Sequence, residues 1–165
     1  MHSEWPALTF KSPFAYDELT LQEKENIAEI TSDTCIIHYP DQTDRFIRCI
    51  LHQKITDSCD TLQYGVWVSL SQKNFEDYVV NYDSDYVVQY FGWLSNNIPQ
   101  YVFENSIPTT VLTSIGGNRP EIFPHKDFDH PFVHDYYHGI SMEEAEKRIN
   151  EMLGVGTKKP WWNLW

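Results

Sequence analysis

The stretch that most constrains this chain runs from Asp44 to Leu70. It reads Asp-Arg-Phe-Ile-Arg-Cys-Ile-Leu-His-Gln-Lys-Ile, then a polar connection, then Tyr-Gly-Val-Trp-Val-Ser-Leu. Both apolar runs favour residues that suit a pleated, half-buried surface, and the spacing predicts two adjacent strands. Alternation places Phe46, Arg48, Ile50 and His52 on one face and Ile47, Cys49 and Leu51 on the other. In the second run Val66, Val68 and Leu70 oppose Trp67 and Ser69. Two strands are marginal alone in water, so further strands or a helix must cover them.

The flanking sequence supplies those partners. Thr34–Tyr39 reads as a strand stopped by Pro40-Asp41, and the link to Arg45 is short enough for a hairpin. Residues 53–63 read as a polar loop. Tyr86–Phe91 reads as an extended piece, and Gly92–Pro99 as a short apolar turn or helix. Thr109–Ile115 and Glu121–Phe123 flank Gly116-Gly117-Asn118-Arg119-Pro120, a hairpin in which Pro120 puts the returning strand at an edge or a start.

Helix starts are marked by caps. Thr20-Leu-Gln-Glu23 and Ser141-Met-Glu-Glu144 are capping boxes, opening helices near residues 20–30 and 141–153. The second turns Ala145, Ile149, Met152 and Leu153 inward, with Gly154 at its C-terminal cap. Ser71 caps a helix near 72–82 through Phe75, Tyr78 and Val79. Pro131 begins and Gly139 ends a further one. Residues 1–16, with Pro6 and Pro13 among aromatics, read as an extended arm pinned to the body. The expected fold is α+β: a mainly antiparallel sheet of about five strands flanked by helices, in one domain over 1–165 with a Trp-rich tail at 154–165.

At 165 residues, 41% hydrophobic and 15% aromatic, the chain can build a substantial core. A formal charge of −12 argues against a nucleic-acid binder, which needs Lys and Arg to displace phosphate counterions, and suits a basic protein partner. Cys35, Cys49 and Cys59 are an odd number at no ligand spacing, and the N-terminus has no signal-peptide run, so a cytoplasmic protein is expected. No apolar run is long enough to span a bilayer.

Several of these pieces together resemble a bacterial family, domain of unknown function 2199. The matching words are Ser32-Asp33-Thr34-Cys35, Arg45-Phe46-Ile47-Arg48, Gly65-Val66-Trp67-Val68-Ser69-Leu70, Asn74-Phe75, Phe91-Gly92-Trp93-Leu94, Arg119-Pro120, His130-Pro131 and Gly139-Ile140-Ser141. They occur in order over roughly residues 12–153. The resemblance implies no activity. Longer members look as though they begin with a paired-cysteine segment suited to zinc, so this chain reads as a shorter member without that metal site.

Candidate chemistry is sparse. His130, His134 and His138 fall along one face if 131–138 is helical, a spacing that can chelate zinc; the competing reading is ordinary surface histidines. Cys35 and Cys49 lie on predicted strands, where a thiol is buried and inert rather than nucleophilic. Asp83 and Asp85 read as turn residues before they read as catalytic carboxylates. Gly116-Gly117-Asn118 with Arg119 could cradle an anion, against the simpler hairpin turn. Arg48 would need a carboxylate partner if buried. The tail, Lys158-Lys159-Pro160-Trp161-Trp162-Asn163-Leu164-Trp165, is too apolar to wave freely; it docks on its own domain, on a second copy to form a homodimer, or on a partner.

The expected function is therefore non-catalytic protein binding of the immunity type, neutralising a basic toxin or effector. Partner contact is assigned to Asp83, Asp85, Glu143, Glu144, Trp161, Trp162 and Trp165, with no cofactor, nucleic acid or membrane. The alternative is a metal-binding protein or metal-dependent hydrolase at His130, His134 and His138, holding zinc.

Overall fold

The computed structural model describes residues 5–154. The two strands nominated from the sequence are its longest: β4 (Thr43–Lys54) and β5 (Thr61–Leu70) pair antiparallel from Arg45↔Leu70 to Lys54↔Thr61. They run further toward each other than expected, so the loop predicted for 53–63 shrinks to the link between Lys54 and Thr61. Six shorter strands join them: β1 (Leu8–Thr9), β2 (Ala28–Ile30), β3 (Thr34–His38), β6 (Gln89–Leu94), β7 (Pro108–Leu112) and β8 (Glu121–Pro124).

The fold is α+β, but the sheet has eight strands rather than about five, and it is mixed rather than simply antiparallel. Consecutive strands from β2 to β8 pair antiparallel, while β1–β5 and β4–β8 are parallel. Length explains the difference. One edge of β4 serves two neighbours, β3 through residues 43–47 and β8 at Ile50. One edge of β5 likewise serves β1 at Tyr64–Gly65 and β6 at Val68–Ser69. The pairings β4–β5–β6–β7–β8–β4 thus close a five-stranded ring, from which β3 and β2 extend on one side and β1 on the other. Closure removes exposed edges from those strands. Pro120 stands where the closing strand begins: its carbonyl accepts the Ile50 amide at 2.8 Å, and its missing N–H breaks no ladder bond.

Among the described residues, five helices accompany the sheet: α1 (Phe14–Asp17), α2 (Leu21–Ile27), α3 (Gln72–Val80), α4 (Pro131–His138) and α5 (Met142–Met152). The Thr20 capping box forms in full: the Glu23 amide donates to Thr20 Oγ1 at 3.1 Å, and the Thr20 amide to Glu23 Oε1 at 2.9 Å. Its helix ends at Ile27, earlier than expected, because Ala28–Ile30 pairs with β3 instead. The second box is half formed. Ser141 Oγ accepts the Glu144 amide at 3.0 Å, but the Glu144 carboxylate turns to Arg148. From Trp5 onward the N-terminal arm is pinned, with the Phe10 amide donating to the Gly65 carbonyl at 2.9 Å, but it contains β1 and leads into α1 instead of staying extended; residues 1–4 of the expected arm lie outside the described residues. Gly92–Leu94 belongs to β6, not to the predicted turn or helix.

Two cores lie on opposite faces of the β4–β5 ribbon. The larger takes Ile47, Cys49 and Leu51 with Val66, Val68 and Leu70, and meets Phe75 and Tyr78 of α3, Phe132 and Val133 of α4, and Ala145 and Ile149 of α5. The smaller takes Cys35, Ile37, Phe46 and Trp67 under residues of the arm and α2. Fully burying a large apolar side chain contributes about 1.5–3 kcal/mol, so both faces stabilise the ribbon. Asn96 fastens the arm: its Oδ1 accepts the Trp67 amide at 2.7 Å and its Nδ2 donates to the Ser12 carbonyl at 2.9 Å.

Candidate functional site

The helix α3 begins where Ser71 Oγ accepts the Asn74 amide at 3.2 Å, and helical spacing turns Phe75 and Tyr78 into the core. Val79 and Val80 consequently face out, Val80 with 83% of its surface exposed. Asn81 caps the helix, its Nδ2 donating to the Asp77 carbonyl at 2.9 Å. In the turn that follows, Ser84 Oγ donates to the Asn81 carbonyl at 2.8 Å and accepts the Tyr86 amide at 3.1 Å. The serine therefore builds this turn, not the aspartates expected to form Asx turns. Among the described residues no ion pair or hydrogen bond takes the carboxylates of Asp83 and Asp85, and both are exposed.

From there the chain enters β6 in strict alternation. Val88, Tyr90, Gly92 and Leu94 turn inward, while Val87, Gln89, Phe91 and Trp93 point out. Gly92 is required by close approach: a Cβ there would lie 2.4 Å from Val68 Cγ1. Outside, Phe91 and Trp93 are 47% and 43% exposed, meet edge to face at 5.0 Å, and Phe91 continues onto His125 at 5.5 Å. Val80, Tyr82, Tyr86, Val87, Phe91 and Trp93 are thus large apolar side chains left in water along α3, its following turn and β6. Single exposed apolar residues are ordinary; Val80, Tyr82, Tyr86 and Val87 close in sequence to the unpaired Asp83 and Asp85, and the Phe91–Trp93 pair on the outward face of β6, have the make-up of interface residues.

The other nominated residues are dispersed. Glu143 is exposed in the first turn of α5, while Glu144 is half-buried and committed to Arg148, which donates from Nε at 2.8 Å. Arg148, only 3% exposed, also donates to the Tyr101 hydroxyl at 2.6 Å and reaches the Tyr64 hydroxyl at 3.5 Å. Tyr101 in turn donates to Asp135 of α4. Burial alone would lower the Arg148 pKa, but its bonds to Glu144, Tyr64 and Tyr101 outweigh that and hold it firmly charged. Trp161, Trp162 and Trp165 lie outside the described residues.

The three histidines do not act together. His130 caps α4: its Nδ1 accepts the Phe132 amide at 3.0 Å, which leaves Nε2 to donate to the Val102 carbonyl at 2.9 Å, so both ring nitrogens are engaged. Its ring stacks on Phe103 at 5.0 Å. His134 and His138 stack on each other at 5.2 Å and line a cleft of about 280 Å³ with Asp127, Asp129 and Tyr137. Among the described residues no group of three His, Cys, Asp or Glu gathers with metal-holding geometry.

The remaining candidates resolve into structure. Cys35 and Cys49 are buried, with burial pushing the Cys35 thiol up to about 12 and the Cys49 thiol higher still. Among the described residues Arg48 pairs with no carboxylate: it donates to the carbonyls of Ser32 at 3.0 Å and Phe10 at 3.2 Å and lies 5.4 Å over the Trp67 ring. Gly116 and Gly117 adopt φ of 71° and 75° in a tight turn, and Arg119 Nε donates to Asp33 Oδ1 at 2.8 Å. Sequence reasoning missed the outward set of β6 and the buried Arg148. The period-two spacing of Val87, Gln89, Phe91 and Trp93 was the signal for the first; nothing local marked the second.

Taken together, the described residues form an α+β fold with a five-stranded ring and exposed apolar side chains on α3, its following turn and β6. Residues 1–140 match the profile of an uncharacterized protein family conserved in bacteria, domain of unknown function 2199, and the chain belongs to that family. The match stops before α5, short of the span read from the sequence words. No curated protein and no solved structure matches the chain.

Proposed function

We propose that this protein is a non-catalytic binding module that masks a basic protein surface, in the manner of an immunity protein neutralising a toxin. One observation carries the reading: Val80, Tyr82, Tyr86 and Val87 stand exposed in the α3–turn segment that also carries Asp83 and Asp85, whose carboxylates have no protein partner among the described residues, and Phe91 and Trp93 are exposed on the outward face of β6. Aromatic anchors supply contact area, and the uncommitted acids together with a net charge of −12 favour a cationic partner. Three unpaired cysteines suit a reducing cytoplasm, and no helix among the described residues is long and apolar enough to cross a membrane. The test is capture of the product of the neighbouring gene by the full chain at low salt and at high salt. Salt-sensitive capture supports the reading, and no capture at either salt overturns it.

A further inference from the structure

Between α3 and the segment entering β6 lies a groove of about 440 Å³. Its walls include Val80, Tyr86 and Val88, and its carboxylates are Glu76 and Asp77. These acids are not loose surface charges. The Tyr90 hydroxyl donates to Asp77 Oδ2 at 2.6 Å, and Asn81 Nδ2 approaches Oδ1 at 3.5 Å. Burial and this bond raise the Tyr90 pKa, so the phenol remains a donor at neutral pH. Gln72 Nε2 donates to Glu76 Oε2 at 3.1 Å, leaving Oε1 free of a protein partner among the described residues. An open groove with an aliphatic wall, an aromatic face and two carboxylates has the composition to receive a long cationic side chain.

We propose that this groove takes an arginine side chain of the partner, an inference that rests on the binding function above and names its anchor. The stem packs on Val80 and Val88, the guanidinium lies against the half-exposed Tyr86 ring, and its N–H fork spans Asp77 and Glu76. Lysine fits less well because a point charge uses neither the ring face nor two carboxylates at once. Lys73 shares the groove and makes no ion pair with either acid among the described residues. Its charge opposes the incoming guanidinium, so removing it strengthens binding.

The test titrates the full ¹⁵N-labelled chain with a short capped Gly-Arg-Gly peptide and with its citrulline counterpart. The arginine peptide produces saturable shifts confined to residues around Val80, Tyr86 and Tyr90, and citrulline produces none. The double variant Glu76→Gln, Asp77→Asn weakens binding at least tenfold while keeping an oxygen for the Tyr90 hydroxyl, and Lys73→Gln tightens it severalfold. Shifts that scatter over every acidic segment, or that survive the double variant, overturn the groove's role. If that role fails while the neighbouring gene product is still captured at low salt, the binding function stands without this anchor. If neither binds, both fall.

Discussion

Replacing Arg148 by Met tests the buried network at its centre. In the native protein Arg148 makes a charge-assisted bond to Glu144 at 2.8 Å, another to the Tyr101 hydroxyl at 2.6 Å and a long one to Tyr64 at 3.5 Å. Hydrogen bonds to a charged group contribute about 1.5–3 kcal/mol each, and an orphaned buried hydroxyl costs about 1–3 kcal/mol. The losses are unequal. Glu144 is half-buried and can turn to water, and Tyr101 keeps Asp135, so the unavoidable cost is the Tyr64 hydroxyl, which is fully buried. Met fills most of the space and adds apolar burial, giving a net loss of about 1–3 kcal/mol. Arg148→Ala adds a cavity and costs about 3–5 kcal/mol. Urea unfolding measures both, and a chain of this size loses about 2–4 °C of Tm per kcal/mol. Adding Tyr64→Phe to Arg148→Met removes the orphan and restores part of the stability. An Arg148→Met variant as stable as the native protein would refute the reasoning, because desolvation of the charge would then outweigh its bonds.

Three further outcomes are expected. Gly92→Ala drives a methyl to 2.4 Å from Val68 Cγ1 and 3.0 Å from the Ser69 carbonyl, so it destabilises by about 1–3 kcal/mol, and Val68→Ala relieves part of that loss in the double variant, as thermal melts would show. A thiol reagent at neutral pH modifies the exposed Cys59 quickly and the buried Cys35 and Cys49 only on unfolding; rapid reaction of all three would contradict their burial. For Asp33, burial pushes the carboxyl up, but the bond and charge of Arg119 outweigh it and leave its pKa below the ordinary 3.8. The pair therefore stabilises above that value and loses its contribution as pH falls through the lowered one. Because both groups are partly exposed, the effect is less than about 1 kcal/mol, and it should vanish from the acid limb of a pH–stability curve in Arg119→Gln.

What the sequence made legible was what neighbouring residues decide. Alternation in Arg45–Leu51 and Val66–Leu70 exposed the central ribbon, Thr20 and Ser141 marked helix starts, and Gly116-Gly117 marked a turn. The ring was hidden because its closure joins Ile50 to Glu121, a parallel contact between segments far apart in the chain. Helix α2 was overestimated because pairing of Ala28–Ile30 with β3 outcompetes another helical turn. Arg148 looked like one more charge on a solvated helix; only Tyr64 and Tyr101, from other elements, make its burial tolerable. Asp83 and Asp85 are nominated for partner contact from charge, but the exposure of Val80, Tyr82, Tyr86 and Val87 around them is hidden in the sequence, because which faces of α3 and of the segment entering β6 are covered depends on elements far along the chain.

The central claim is that the exposed apolar residues of α3, its following turn and β6 form the binding surface. Its most direct test is the affinity of the captured neighbouring gene product for the native chain and for Phe91→Ala, Trp93→Ala. Both side chains point into solvent, so the variant should keep its Tm within a few degrees. Two aromatic anchors at about 2 kcal/mol or more each predict an affinity loss on the order of a thousandfold. Unchanged affinity in a folded variant would place the binding surface elsewhere.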